Sequence, residues 1–528
     1  MRQRVFEVLT LSCLAACGDA RDAMSESDER GAFGPAASDS DASPGAGGQG
    51  AGRSDENETE RLTFGKPAVG RDHVWVASPE NDLVLRIDGT DRSVRTVAVG
   101  DGPSRVVTRP GEEFGVVLNR GSDSLTVIDA RSDEASTTDF ALSRHFNALA
   151  MHPDGRFVIT WFELDEAEPG EDSTALQDAA VLDLMSGQVV PISTGFRPRA
   201  PFFPTGPDGA ASAYLVTDDG LTVVELDHLD RAPRLLPTAT DPFAQSGREV
   251  HITNDGALVV SRGRDETALT VLSPSDGVLR SIELGAVPTD LDLLADGVHA
   301  LAMLRERQEA VMVNLLDESL LRFALPAPLG AAAVSHTGSR ALLYTTLSAQ
   351  ELAPRIAVLD LSVDPPTLTE RPVRKEIAGA VIDPEGATAF VLHRKAEGEP
   401  DPAQGEAAFL ERSYGYSLVD LDTLFVRLVT TPAEPSGLLY SDDGLRAFVP
   451  LSRPDRATYA LQILELGPLS VRTVTLPSAP EQIGELTAVE RVFVTQTHRE
   501  GRISFLDAAR EDASLETVSG YLLNGRIE

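Results

Sequence analysis

The chain runs to 528 residues, 42% of them apolar, with 82 acidic side chains against 46 basic ones and a formal net charge of -36. A surface that negative repels nucleic-acid phosphates and anionic lipid heads, so no nucleic acid is expected as a partner; it suits solubility, divalent cations or basic partners. The only cysteines, Cys13 and Cys17, leave the rest of the chain without a disulfide framework or a cysteine zinc site, and after residue 20 no apolar run reaches the roughly 20 residues of a membrane span.

Residues 1–17, MRQRVFEVLTLSCLAAC, open with Arg2 and Arg4 and continue in a short apolar stretch, 8–16, ending in small residues. That is the pattern of a secretory signal. The ending Leu14-Ala15-Ala16-Cys17 resembles a bacterial lipobox. The resemblance implies that Cys17 is lipidated and becomes the mature N-terminus, with several acyl chains that each gain about 0.8 kcal/mol per buried methylene. Gly18, rather than Asp, follows the cysteine. By the enteric sorting pattern this points to the outer membrane, so the resemblance implies a lipid-anchored protein of the bacterial cell envelope. Residues 18–65 are rich in Asp, Ser, Gly, Ala and Glu with no periodicity, as in SDSDASPGAGGQGAG. They read as a disordered acidic tether.

From residue 66 to 528 one unit repeats. Turns of Asp-Gly type recur at 153–155, 207–209, 254–256, 295–297, 336–338, 384–386 and 442–444, each between two short apolar runs. The stretch MHPDGRFVIT, 151–160, is one of them. Such pairs read as β-hairpins. A third run follows and closes on an acid, as in LTVIDA, IAVLDL and ISFLDA; a fourth follows that, as in VRTVAVG and LRSIELG. Four short strands per unit of about 40 to 50 residues is the period of β-propeller blades. Ten second strands are found, from 74–78 to 492–496. One large ring, two smaller rings, or a ring with stray units would accommodate them; the absence of a linker after residue 65 favours one ring. The unit resembles the YVTN-type propeller repeat, with Tyr214-Leu215-Val216-Thr217 and Phe493-Val494-Thr495-Gln496 nearest the signature. Residues 521–527 follow the last unit and are predicted to pair into the first blade and close the ring, removing exposed edges.

Catalytic motifs are sparse. The nine histidines are dispersed, and there is no His-Glu-x-x-His, Gly-x-Ser-x-Gly or Walker loop. DLDLLADG, 290–297, has the wrong spacing for a calcium loop and reads as an inner strand. Trp75 and Trp161 read as packing residues. Two long insertions between second and third strands draw attention. One contains Glu163, Asp165, Glu166, Glu168, Glu171 and Asp172; the other, 395–412, contains Glu397, Glu399 and Asp401. Loops of this length are functional or disordered, so these are either solvated decoration or a site for a cation, calcium included, or for a basic partner. Arg105, Arg197, Arg199 and Arg248 lie near the strands that open their blades. Converging arginines hold an anion bidentately, although pairing with nearby acids such as Glu249 is the simpler expectation. The reading that follows is a monomeric, membrane-tethered binding scaffold for a protein, glycan or surface polymer, with no cofactor. The alternative is an extracytoplasmic propeller hydrolase or lyase, lactonase-like, with a polar site at the central channel.

Overall fold

The computed structural model describes residues 62–527 apart from 133, 169, 172–173, 207–210, 242, 508–513 and 524. The signal with Cys17, the tether up to residue 61 and Asp172 lie outside the described residues. The chain is all-β, 49% strand and 6% helix, with ten blades in one ring. No helix of the described residues is long and apolar enough to cross a membrane.

Each blade is an antiparallel sheet whose strands follow in chain order from the tunnel to the rim. In blade 3 they are Ala148–Met151, Phe157–Trp161, Asp178–Asp183 and Gln188–Ser193. Second strands are largely buried, and in blades 1 to 3 (His73–Ser78, Phe114–Asn119 and Phe157–Trp161) buried end to end, because neighbouring blades cover both sheet faces. Rim strands such as Ser136–Ala141 are mostly exposed, and their sequences carry Ser, Thr and Asp. Blade 4 departs from the pattern: its sheet has three strands, and a single bridge from Phe202 to Tyr214 stands for the inner one.

The recurring turn has one construction. In blade 3 the Gly155 N–H donates to the His152 carbonyl at 2.8 Å, the Asp154 carboxylate accepts the Arg156 N–H at 2.8 Å, and Gly155 sits at φ 71°. Blade 5 repeats it with Thr253, Asp255 and Gly256 at φ 70°. The left-handed backbone selects glycine and the Asx turn selects aspartate. His152 is thus a turn residue, edge-on to Phe203 with centroids 5.0 Å apart. The acids that close third strands act likewise: Asp88 accepts the Thr90 and Asp91 N–H groups, and Asp360 that of Ser362. Much of the acidity is therefore used as turn-capping.

The last strand, Gly525–Ile527, pairs in parallel with the rim strand of blade 1, Val94–Ala98, as a fifth outer strand. Blades 1 and 10 each have four strands without it. The seam itself is packed by side chains: Val74, Val76, Leu85 and Ile87 of blade 1 share a core with Leu486, Phe493, Ile503 and Phe505 of blade 10.

Candidate functional site

Antiparallel order places the loops between second and third strands, and those between blades, on one face of the ring. Both acidic insertions stand on that face, in blades 3 and 8, half a ring apart.

The described part of the blade 3 insertion packs around a small apolar core of Phe146, Phe162 and Ala175. Asn147 pins its base, accepting the Glu163 N–H at 2.7 Å and donating to the Glu163 carbonyl at 3.1 Å. Its acids are met by the chain's own bases. Glu166 pairs with Arg105 and, at 3.1 Å, with Lys66. Arg120 holds Glu168 at 3.0 Å and Glu171 at 2.5 Å, while Glu171 also meets His145 at 3.2 Å. Asp165 lies 3.9 Å from Arg197. Burial raises the Glu163 carboxyl, against the indole of Trp161, which donates to it at 3.1 Å, and the nearby charges of Arg199 and Arg105. Candidate acids and candidate arginines thus form one structure.

Arg248 is elsewhere, in blade 5. Its side chain is 2% exposed and forked onto both oxygens of Glu266, at 2.6 and 2.8 Å, with further bonds to Ser261 and Thr270. The structure therefore brings Arg105, Arg197 and Arg199 to the insertion and leaves Arg248 apart from them.

The blade 8 insertion carries the one α-helix among the described residues, Glu406–Arg412. Lys375, 2% exposed, reaches under it and donates to the Leu410 and Glu411 carbonyls at 2.7 and 3.1 Å, capping the negative end of the helix. Burial lowers this ammonium to about 8. Glu399 is clamped by Arg453 and, at 2.8 Å, by Arg456. Asp401 caps the short turn Pro402–Gln404, and Glu397 is exposed.

Among the described residues one trio of potential metal ligands is close-set: Asp72, His73 and Glu113, between blades 1 and 2. Glu113 already accepts five donors. The N–H groups of Arg71, Asp72 and His73 reach one oxygen at 2.8, 3.0 and 3.3 Å; the Trp75 indole and Arg86 reach the other at 3.1 and 3.0 Å. A carboxylate has about four lone-pair sites, so Glu113 is fully engaged as an inter-blade clamp; beside it Asp72 Oδ1 and His73 Nδ1 are enclosed without a hydrogen-bond partner among the described residues.

Sequence reasoning assigned DLDLLADG to an inner strand, and Asp290–Leu293 is the inner strand of blade 6. It missed the electrostatics there. Asp290 accepts the Ala332 N–H at 2.7 Å, and burial raises its carboxyl to about 6. Asp292 is pushed up by burial and by the charges of Asp290 and Glu249; its Oδ2 is enclosed with no hydrogen-bond partner among the described residues. Glu249, in the inner strand of blade 5, is half-buried, which acts to raise its carboxyl, but it is held down by His251 at 2.8 Å and by Arg262. A cavity of about 230 Å³, lined in part by Asn254, Leu293, Ser335 and His336, lies where the inner strands of blades 5 to 7 end.

These acids carry a pH signature. Between about 4 and 6 the folded ring keeps on Asp290 a proton that the unfolded chain loses, so stability falls as pH rises through that window. Asp292→Asn removes a like-charged neighbour and is expected to stabilise the ring by about 1–3 kcal/mol near pH 8 and by little near pH 4. Thermal melts at the two pH values check this; a variant no more stable than wild type near pH 8 contradicts it.

No family model matches the chain, and comparison with curated proteins finds no match. Solved structures resemble it distantly. One described as Kuenenia stuttgartiensis hydrazine synthase is 15% identical over 60% of this chain and all of its own, with a TM-score of 0.29. A eukaryotic initiation factor is 11% identical over 87% of this chain and 97% of its own, at 0.47. The dihydro-heme d1 dehydrogenase NirN in complex with DHE is 14% identical over 69% and 73%, at 0.37. Likeness at this level carries nothing about activity.

Proposed function

We propose that this chain is a ring-shaped binding scaffold of the bacterial cell envelope, held by lipid on Cys17, that takes a protein, glycan or surface polymer on the face bearing its two insertions. The observation behind this reading is that both insertions are braced in place by the chain's own bases. Ordering a loop costs about 1–2 kcal/mol per residue, and exposed ion pairs return about 0–1 kcal/mol each. Fold stability gains little from such bracing; binding gains from it, because a preformed surface has less order left to acquire. A photo-cross-linking residue at Glu397 or Asp165, in cells that carry the full-length protein, is expected to give adducts. The same residue at Met185, an exposed side chain in a third-to-fourth-strand turn on the opposite face, is expected to give none. Adducts from Met185 alone, or from no position, overturn the reading.

A second reading rests on Asp292. A carboxyl whose hold on its proton is strengthened by burial and by neighbouring acids is suited to general-acid chemistry, which favours a hydrolase or lyase. Loss of turnover of a lactone or ester substrate in Asp292→Asn, in a variant whose stability has risen, would separate this role from a packing one.

A further inference from the structure

The insertion face carries an open groove of about 530 Å³ between blades 3 and 4, walled by Thr174, Gln177, Asp178, Ser193, Thr194 and Phe196. The sheet register explains the grouping. Asp178 and Ser193 are paired residues at the ends of the third and fourth strands of blade 3, so their side chains stand together at the lip. Below them the backbone is closed: the Thr194 N–H donates to the Gln177 carbonyl and the Arg197 N–H to the Leu176 carbonyl, both at 2.8 Å. The Gln177 amide and the Ser193 hydroxyl have no hydrogen-bond partner among the described residues and face solvent. Phe196 is 39% exposed but firmly held, its N–H on Asp219 at 2.7 Å and its carbonyl on the Asp218 N–H at 2.8 Å.

The groove therefore offers hydroxyl and amide groups, and an Asp178 carboxylate met by Arg144 at 3.3 Å, beside one aromatic ring on a pinned backbone. That set matches a ligand with many hydroxyls and one apolar C–H face, which is a sugar ring. The next inter-blade loop on the same face presents Phe243, 97% exposed, a second aromatic platform one blade along. A net charge of -36 repels a polyanion. We infer that the groove between blades 3 and 4 is a subsite for a neutral polysaccharide, with one ring stacked on Phe196 and its hydroxyls bonded to Gln177, Asp178 and Ser193, and with the chain running on towards Phe243.

This rests on the binding-face reading above and narrows its ligand. Affinity electrophoresis of the full chain through gels containing dextran, laminarin or galactomannan, with polygalacturonate as the polyanion, tests it. At least one neutral polymer is expected to retard the protein and polygalacturonate is not. Phe196→Ala is expected to weaken the interaction about tenfold, and Phe243→Ala several-fold, the latter with an unchanged melting temperature because that ring is 97% exposed. The inference falls if no neutral polymer retards the chain, if only polygalacturonate does, or if Phe196→Ala binds as wild type does. Should it fall while cross-links still form at Glu397, the binding face stands and its ligand is not a neutral glycan.

Discussion

Replacing Glu113 by alanine is expected to destabilise the ring by about 3–5 kcal/mol, the usual cost of removing one partner from a buried charged network. Five donors lose their acceptor at once, and Arg86, its side chain 3% exposed and stacked over the Trp75 ring at 5.1 Å, loses its carboxylate. The damage falls at the junction of blades 1 and 2. Glu113→Gln keeps the shape but brings an NH₂ group towards those donors, so it is expected to recover only part of the loss. Burial acts to raise this carboxyl, but bonds from His73, the Asp72 N–H and Arg86 prevail and hold it at about 2, against an ordinary 4.5. Its contribution is therefore complete above about pH 4.5 and is lost as pH falls towards 2. Urea midpoints at neutral and acid pH measure both effects; an unchanged midpoint for Glu113→Ala at neutral pH would show that the clamp carries no stability.

Glu113 also shows what was legible in the sequence and what was not. The residue that opens or immediately precedes the second strand is basic in most blades, as with His73, Arg156, His299, Arg340, Arg446 and Arg491. Two of these pair with the third strand of their own blade, Arg156 with Asp183 and Arg446 with Glu465, while Arg340 reaches Asp422 in the turn after the third strand of the next blade. Blade 2 has an acid at that position, Glu113, which only a comparison of the repeats position by position would expose. The Asp-Gly turns were legible because their chemistry is local, within five residues. The bracing of the insertions was not, because Lys66 and Arg105 reach Glu166 only once the ring has brought blades 1 to 3 together. The raised carboxyls of Asp290 and Asp292 were hidden for the same reason: their strand reads as polar and apolar in alternation, and only the packed tunnel wall removes the water.

The second large effect is expected at the seam of the ring. Tyr521 is 2% exposed and edge-on to Phe64, with centroids 5.1 Å apart. Its N–H donates to the Glu500 carbonyl at 2.9 Å, and the Gly520 N–H to that of Gly501 at 3.0 Å. The tyrosine ring lies so close over Gly501, itself at φ 77°, that no side chain fits there. On the blade 1 side, the Leu62 N–H donates to the Arg499 carbonyl at 3.1 Å, and Gly65 is bonded to Ala77 at 2.9 Å. One aromatic pair thus fastens the last blade to the segment that leads into the first. Tyr521→Ala is expected to cost about 3–5 kcal/mol, as for other large buried rings. Deleting 520–528 is expected to cost at least as much and to bare the edge of Val94–Ala98, making the chain prone to self-association. Leu523→Ala, at a side chain 78% exposed, serves as the control and should melt as wild type does. A ring has no free end to absorb the loss, since blades 1 and 10 share an apolar core at the seam, beside the Arg92–Glu516 ion pair, and opening it wets both sides. Thermal melts and light scattering of the three variants read the outcome, and a truncated chain that melts with the full-length protein would place closure in the blade 1 and blade 10 side chains alone.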